Sequence, residues 1–205
     1  MCYVDGDPNA NRECPAAPGM DRRVLGTREA LPPTNLYLTH DIPTEASMSE
    51  ESFPFQVHGA ARTEALARCR SVIASWGLTM PAVEPLALDF GLGRFSEIGE
   101  IEFWVANEEA AGYCGKFLFV DDNQTCPYHR HDLKHETFFV MKGAVRMVID
   151  GEEKVLREGD TLVMPPGQRH SFTGVGPALL LEVSMPSRRN DNFFADRGIG
   201  DEGII

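Results

Sequence analysis

Residues 136–164 read "ETFFVMKGAVRMVIDGEEKVLREGDTLVM". Four short runs rich in aromatic and β-branched residues, "ETFFVM", "AVRMVI", "KVL" and "TLVM", are separated by turn residues, which is the pattern of successive strands. Asp150-Gly151 sits between Ile149 and the strand expected at Lys154 to Leu156 and is a type I′ hairpin signal, because both central positions of that turn need positive φ. Similar runs lie on either side: "IEFWVA" and "KFLFV" before, "HSFTG" and "ALLLEV" after. Only one helix is expected, where Leu66, Cys69, Ile73 and Trp76 recur at three- and four-residue steps, with Thr63 to cap its start and Gly77 to end it. Many short strands with a single helix and no internal repeat predict an all-β sandwich or barrel.

The chain has 205 residues, enough for one well-buried core. Nineteen Lys and Arg against 31 Asp and Glu give a formal charge of -12, which repels nucleic acid phosphates and anionic membranes. "DRR" and "SRR" are too short to offset it. No apolar run is long enough to span a bilayer, and the start lacks the pattern of a signal peptide, so a soluble, cytoplasmic protein is expected. The five cysteines are odd in number, widely spaced and without a CxxC, and are read as reduced thiols. Residues 1–60 carry many prolines and little periodicity and are read as an irregular arm without chemistry, with Met20 and Met48 as alternative starts. Residues 61–205 form the single expected domain.

"CPYHRHDLKHE", residues 126–136, carries the chemistry. His129 and His131 are two apart, so on a strand both project to one face. Glu136 begins the next strand, and a tight "DLKH" connection would bring its carboxylate to the pair. His170 follows in "GDTLVMPPGQRH", where Gly159 and Pro165 bracket a strand and Gly167 makes a turn. Three imidazoles and a carboxylate suit a divalent transition metal, and an octahedral ion with four protein ligands keeps two positions for water or substrate. His135 alternates away from Glu136. Cys126 could add a soft ligand favouring zinc, but the proline after it suggests a loop.

The order H-x-H-x4-E-x6-G from His129 to Gly143, followed after fifteen residues by G-x5-P-x-G-x2-H from Gly159 to His170, resembles both signature motifs of the cupin family. Asn123 stands where the pattern usually has glycine, and no asparagine follows His170 at the usual offset; these departures touch turn geometry rather than ligands. The resemblance implies a single double-stranded β-helix, or jelly-roll, barrel behind the N-terminal amphipathic helix.

Cupins host many reactions, so other residues must decide among them. Lys116 is either an edge-strand guard or a pocket group. Lys134 is either a solvated loop residue or a donor at the pocket rim. Glu182 is the carboxylate of an apolar strand, and burial is expected to raise its pKa toward that of a general base; the alternative is an outward-facing residue. From about residue 63 to 195 the chain resembles the D-lyxose ketol-isomerases, through "GLTMP", "LDFGLGRFSEIG", "DDNQTCPYHRH", "LKHE", "PPGQRHSF", "LEVSM" and "NDNFF". That resemblance implies that His129, His131, Glu136 and His170 bind a divalent ion, typically manganese, with iron, cobalt, nickel or zinc as alternatives. It also implies that Lys116, Lys134 and Glu182 stand near the sugar.

Aldose–ketose interconversion needs polarised C1 and C2 oxygens and a base that moves a proton between the carbons. Glu182 is the expected base, with Lys116 or Lys134 stabilising negative charge. The segment between Glu136 and His170 is compact where such isomerases often carry an insertion, which also resembles the cupin modules of sialic acid synthase-like enzymes. A metal-cupin dioxygenase, which would not need Glu182, and a non-catalytic carbohydrate-binding cupin are the alternatives. A homodimer is expected, with strand exchange or the arm covering exposed strand edges.

Overall fold

The computed structural model describes residues 55–205; the expected arm falls almost wholly outside them. Helix α1 spans Gly59–Ser75, so the boundary expected at residue 60 falls inside it. Eleven strands follow: β1 (Leu86–Leu88), β2 (Glu100–Glu108), β3 (Tyr113–Val120), β4 (Thr125–Arg130), β5 (Glu136–Lys142), β6 (Ala144–Ile149), β7 (Glu152–Arg157), β8 (Thr161–Met164), β9 (His170–Gly174), β10 (Ala178–Ser184) and β11 (Phe193–Phe194). They form a six-stranded sheet in the order β1-β2-β3-β10-β5-β8 and a five-stranded sheet in the order β11-β4-β9-β6-β7. Their strand pairs are antiparallel.

Alternation along the strands sorts side chains between two cores. Inward residues of the six-stranded sheet, including Leu88, Leu118, Val120, Phe138, Val140 and Leu180, meet Val145, Met147, Leu156 and Phe172 of the facing sheet. The outer face of β1, β2, β3 and β10 buries Ala87, Ile101, Phe103, Phe119 and Leu179 under Leu66, Cys69, Val72 and Ile73 of α1. Full burial of each large aliphatic or aromatic side chain is worth about 1.5–3 kcal/mol, so these two layers hold the barrel closed.

Asp150 and Gly151 have φ of 48° and 89° and join Ile149 to Glu152, giving the expected I′ hairpin with β7 two residues longer at its start. Asn123 has φ of 59°, so it takes the left-handed conformation that glycine supplies in the family pattern. The start of α1 differs from expectation. It begins four residues before Thr63 with His58 as N-cap and no side-chain cap. Thr63 Oγ1 instead donates back to the Gly59 carbonyl at 3.2 Å, and the alanines of the first turn are strong helix formers. Gly77, with φ of 70°, ends the helix as expected, its N–H donating to Ala74 O.

Candidate metal centre

His129 lies on β4, and His170, the first residue of β9, is its register partner. His131 follows β4 directly, and the Gly167 N–H donates to its carbonyl at 2.6 Å, tying the "PPGQ" turn to the histidine strand. One ring nitrogen from each of His129, His131 and His170 lies within 4.8 Å of the others, and all three rings are buried. Each Nδ1 faces a backbone carbonyl: Pro127 O at 2.7 Å, Asp191 O at 2.8 Å and Gln168 O at 3.3 Å. A carbonyl only accepts, so each Nδ1 carries the proton and leaves an Nε2 lone pair free, the arrangement metal-binding histidines adopt. Burial, then the neighbouring His170 and His131, hold His129 well below the usual histidine range, which keeps it neutral.

Glu136, the first residue of β5, stands 3.3 Å from the Nε2 atoms of His131 and His170. These contacts lack hydrogen-bond geometry: His131 Nε2, His170 Nε2 and Glu136 Oε2 are buried without a partner. Orphaned buried polar atoms are costly, and three of them at one point are what a divalent cation would satisfy. The donor set fits such an ion. Burial opposes ionisation of Glu136, but the Lys134 ammonium overcomes it and holds the carboxyl well below the ordinary range. His135 is exposed, as its alternation predicts. Cys126 is not in the cluster; it lies on β4 rather than in a loop, and burial pushes its thiol well above the usual range.

The three polar residues expected near the sugar are all buried and line the same cavity, of about 290 Å³, as the histidines. That is near the lower end of the roughly 300–1,000 Å³ typical of ligand pockets, and suits a small ligand. Lys116 is not an edge guard, since β3 lies inside its sheet. Lys134 is not solvated. Lys134 Nζ stands 2.7 Å from Glu136 and 3.1 Å from Glu182; Lys116 Nζ stands 3.4 Å from Glu182 and 2.5 Å from Glu102. Carboxylates and ammonium groups thus alternate along one row, Glu136, Lys134, Glu182, Lys116, Glu102. Lys116 also lies 5.2 Å over the Trp104 ring, whose Nε1 donates to Glu102 at 2.7 Å.

The row corrects the expected titration of Glu182. Burial does push its carboxyl up, but Lys116 and Lys134 outweigh it, and the group is held below the ordinary range. Both lysines are raised: burial opposes their charge, but carboxylates prevail, Glu102 first for Lys116 and Glu182 first for Lys134.

Three groups were not read from the sequence. Asp191 accepts the N–H groups of Asp132, Leu133 and Lys134 through its carboxylate, while its carbonyl holds His131. It lies 60 residues from His131 in sequence, so no local spacing reveals it. Glu102 ends the charge row, and Glu100 lies beside it. Burial, then Glu102, pushes Glu100 up to about 8, so it is protonated at neutral pH. The C-terminal tail reaches the cavity: β11 pairs with β4, Phe194 stacks on His129 at 5.2 Å, and Phe194 and Ile205 are among the lining residues.

Residues 116–184 match the Cupin domain family. The D-lyxose ketol-isomerase of Cohnella laeviribosi is 32% identical over 137 residues, 53% of this chain and 74% of that protein. That of Thermofilum sp. is 33% identical over 140 residues, 54% of this chain and 76% of its own. Among solved structures, Cellulomonas parahominis L-ribose isomerase with L-ribose superposes with a TM-score of 0.58 at 18% identity, over 74% of this chain and 97% of the other, a likeness of fold. The motifs at His129 and His170, the jelly-roll and these relatives agree: the chain is a cupin and belongs to the family of the D-lyxose ketol-isomerases.

Proposed function

We propose that the protein is a metal-dependent sugar isomerase that interconverts an aldose and a ketose of the D-lyxose type. The observation that carries this reading is the junction, in one buried cavity, of three convergent imidazoles with the row Glu136, Lys134, Glu182, Lys116. His129, His131, Glu136 and His170 would hold the ion, for which manganese is the first candidate. When bound, the ion supplies a Lewis acid for the C1 and C2 oxygens.

Glu182 is the proposed base. Its depressed pKa keeps it ionised at neutral pH, and its Oε1 is fixed by Lys134 and by the Ser184 hydroxyl at 2.7 Å. It takes the proton from C2 and returns it to C1 of the enediol. Lys134 and Lys116 donate to negative charge developing on the sugar oxygens. The net change is one hydrogen from C2 to C1 and one from O2 to O1, with no external oxidant.

The test is ketose formation from D-lyxose, D-mannose and other aldoses by protein reconstituted with Mn, Fe, Co, Ni or Zn. The reading expects turnover with at least one ion, abolished by Glu136→Gln. Oxygen uptake without ketose would favour a dioxygenase, and sugar binding without turnover a carbohydrate-binding cupin. A cytoplasmic homodimer is part of the proposal. Val183, Thr137 and Val163 lie side by side on the outer face of β10, β5 and β8, where both valines are exposed beside Phe139. Sedimentation equilibrium is expected to give twice the 22.7 kDa chain mass; a mass of one chain contradicts the dimer.

A further inference from the structure

Four buried side-chain polar atoms have no hydrogen-bond partner among the described residues. Three belong to His131, His170 and Glu136, and an ion would satisfy them. The fourth is Glu100 Oε2, on a different strand and at the other end of the charge row. Glu100 opens β2, and the strand's alternation sets it on one face with Glu102 and Trp104, lining the cavity, while Ile101 and Phe103 pack beneath α1. It is 5 % exposed. The groups facing it are Glu102 on its own strand, Lys116 on β3, Glu182 on β10 and the Cys126 thiol on β4. Lys116 is already engaged by Glu102 and Glu182.

We propose that Glu100 is a specificity-determining residue whose free carboxyl oxygen hydrogen-bonds a hydroxyl of the bound polyol at the β2 end of the cavity, remote in the row from the histidines. A buried polar atom without a partner, on a side chain that lines a cavity, discriminates strongly between ligands that pair with it and those that do not, because the wrong ligand leaves it unpaired. A protonated carboxyl can donate to one hydroxyl oxygen and accept from another hydroxyl, so it reads the stereochemistry of the carbons that present them. That the ligand is an aldose under turnover rests on the isomerase reading; the polyol contact does not require it.

The experiment uses the metal-loaded full chain and two variants. Glu100→Leu removes donor and acceptor; Glu100→Gln, an isostere, keeps one of each. Expected is a rise of about tenfold or more in KM for the preferred aldose in Glu100→Leu, with a smaller change in kcat and a flattened ranking among epimeric aldoses. Glu100→Gln is expected to recover most of the affinity. Ionisation removes the donor, so wild-type KM is expected to rise as pH passes about 8, a limb that Glu100→Gln lacks.

Infrared difference spectra at neutral pH supply a readout independent of turnover: a protonated carboxyl band, lost in Glu100→Gln, that shifts when D-lyxose or its alditol is added. Turnover with unchanged KM and aldose ranking in Glu100→Leu, or no Glu100-dependent band, overturns the proposal and leaves the isomerase reading standing. No turnover by wild type, with alditol affinity that depends on Glu100, removes the isomerase reading and supports the proposal. A wild type that neither converts nor binds any polyol overturns it.

Discussion

Lys116 and Lys134 are ammonium groups in a place where an unpaired charge would be excluded, and each is held by carboxylates on two sides. Removing one member of a buried ionic network leaves the others uncompensated, at a cost of about 3–5 kcal/mol. Lys116→Met is therefore expected to lower unfolding free energy by about that amount in chemical denaturation, and Glu102→Gln added to it is expected to restore part of the loss. Strict additivity of the two changes would contradict direct coupling across the 2.5 Å contact. The same network explains why the titration of Glu182 was misread from sequence. Its apolar neighbours Leu180 and Leu181 announce burial, but the two lysines that reverse burial's effect come from β3 and from the loop before β5, 66 and 48 positions away. Glu100 was missed for a related reason: Glu100, Glu102 and Trp104 alternating with Ile101 and Phe103 reads as a half-solvated strand, whereas in this barrel the polar face turns inward and the apolar face packs under a helix.

The turns that space the strands are set by glycines, and two of them separate conformational need from steric need. Gly143 closes the first motif and Gly159 opens the second, with φ of 75° and 92°. A Cβ at Gly159 meets nothing within 4 Å, while one at Gly143 runs into the Pro177 carbonyl oxygen and Ala178. Gly159→Ala is expected to cost about 1–2 kcal/mol, the left-handed penalty alone. Gly143→Ala is expected to cost a further ~1–3 kcal/mol from overpacking, and thermal or denaturant unfolding of the pair checks the order. Equal losses would contradict the geometry. Strands long enough to alternate were legible: β2, β3, β5, β6 and β10 fall where aromatic and β-branched residues cluster, and Asp150-Gly151 fixed one register. β1 and β11, of three and two residues, carry too little pattern to be read. The helix start was shifted because Thr63 bonds the preceding turn rather than the end of the helix.

The barrel joins a histidine cluster and a charge row that have separate origins in the sequence. The cluster was legible because its three histidines come from two compact motifs whose spacing maps onto β4, the residue after it and β9, with Glu136 opening β5 beside them. The row was legible only as named residues, because its alternation arises from registers between strands: Glu182 lies opposite Lys116 across β10 and β3, while Glu182 pairs with Phe138 on β5. No helix among the described residues is long and apolar enough to cross a membrane. The family relation makes sugar isomerisation the reading to test, and proton transfer between adjacent carbons is its defining event. That event is seen by NMR when metal-reconstituted protein acts on D-lyxose or D-mannose in deuterated water. Ketose carrying deuterium at the exchanging carbon is expected, with the rate in Glu182→Gln reduced about 10²–10⁴-fold, as for loss of a general base. Absence of both ketose and exchange with every ion and aldose, or an undiminished rate in Glu182→Gln, would contradict that expectation.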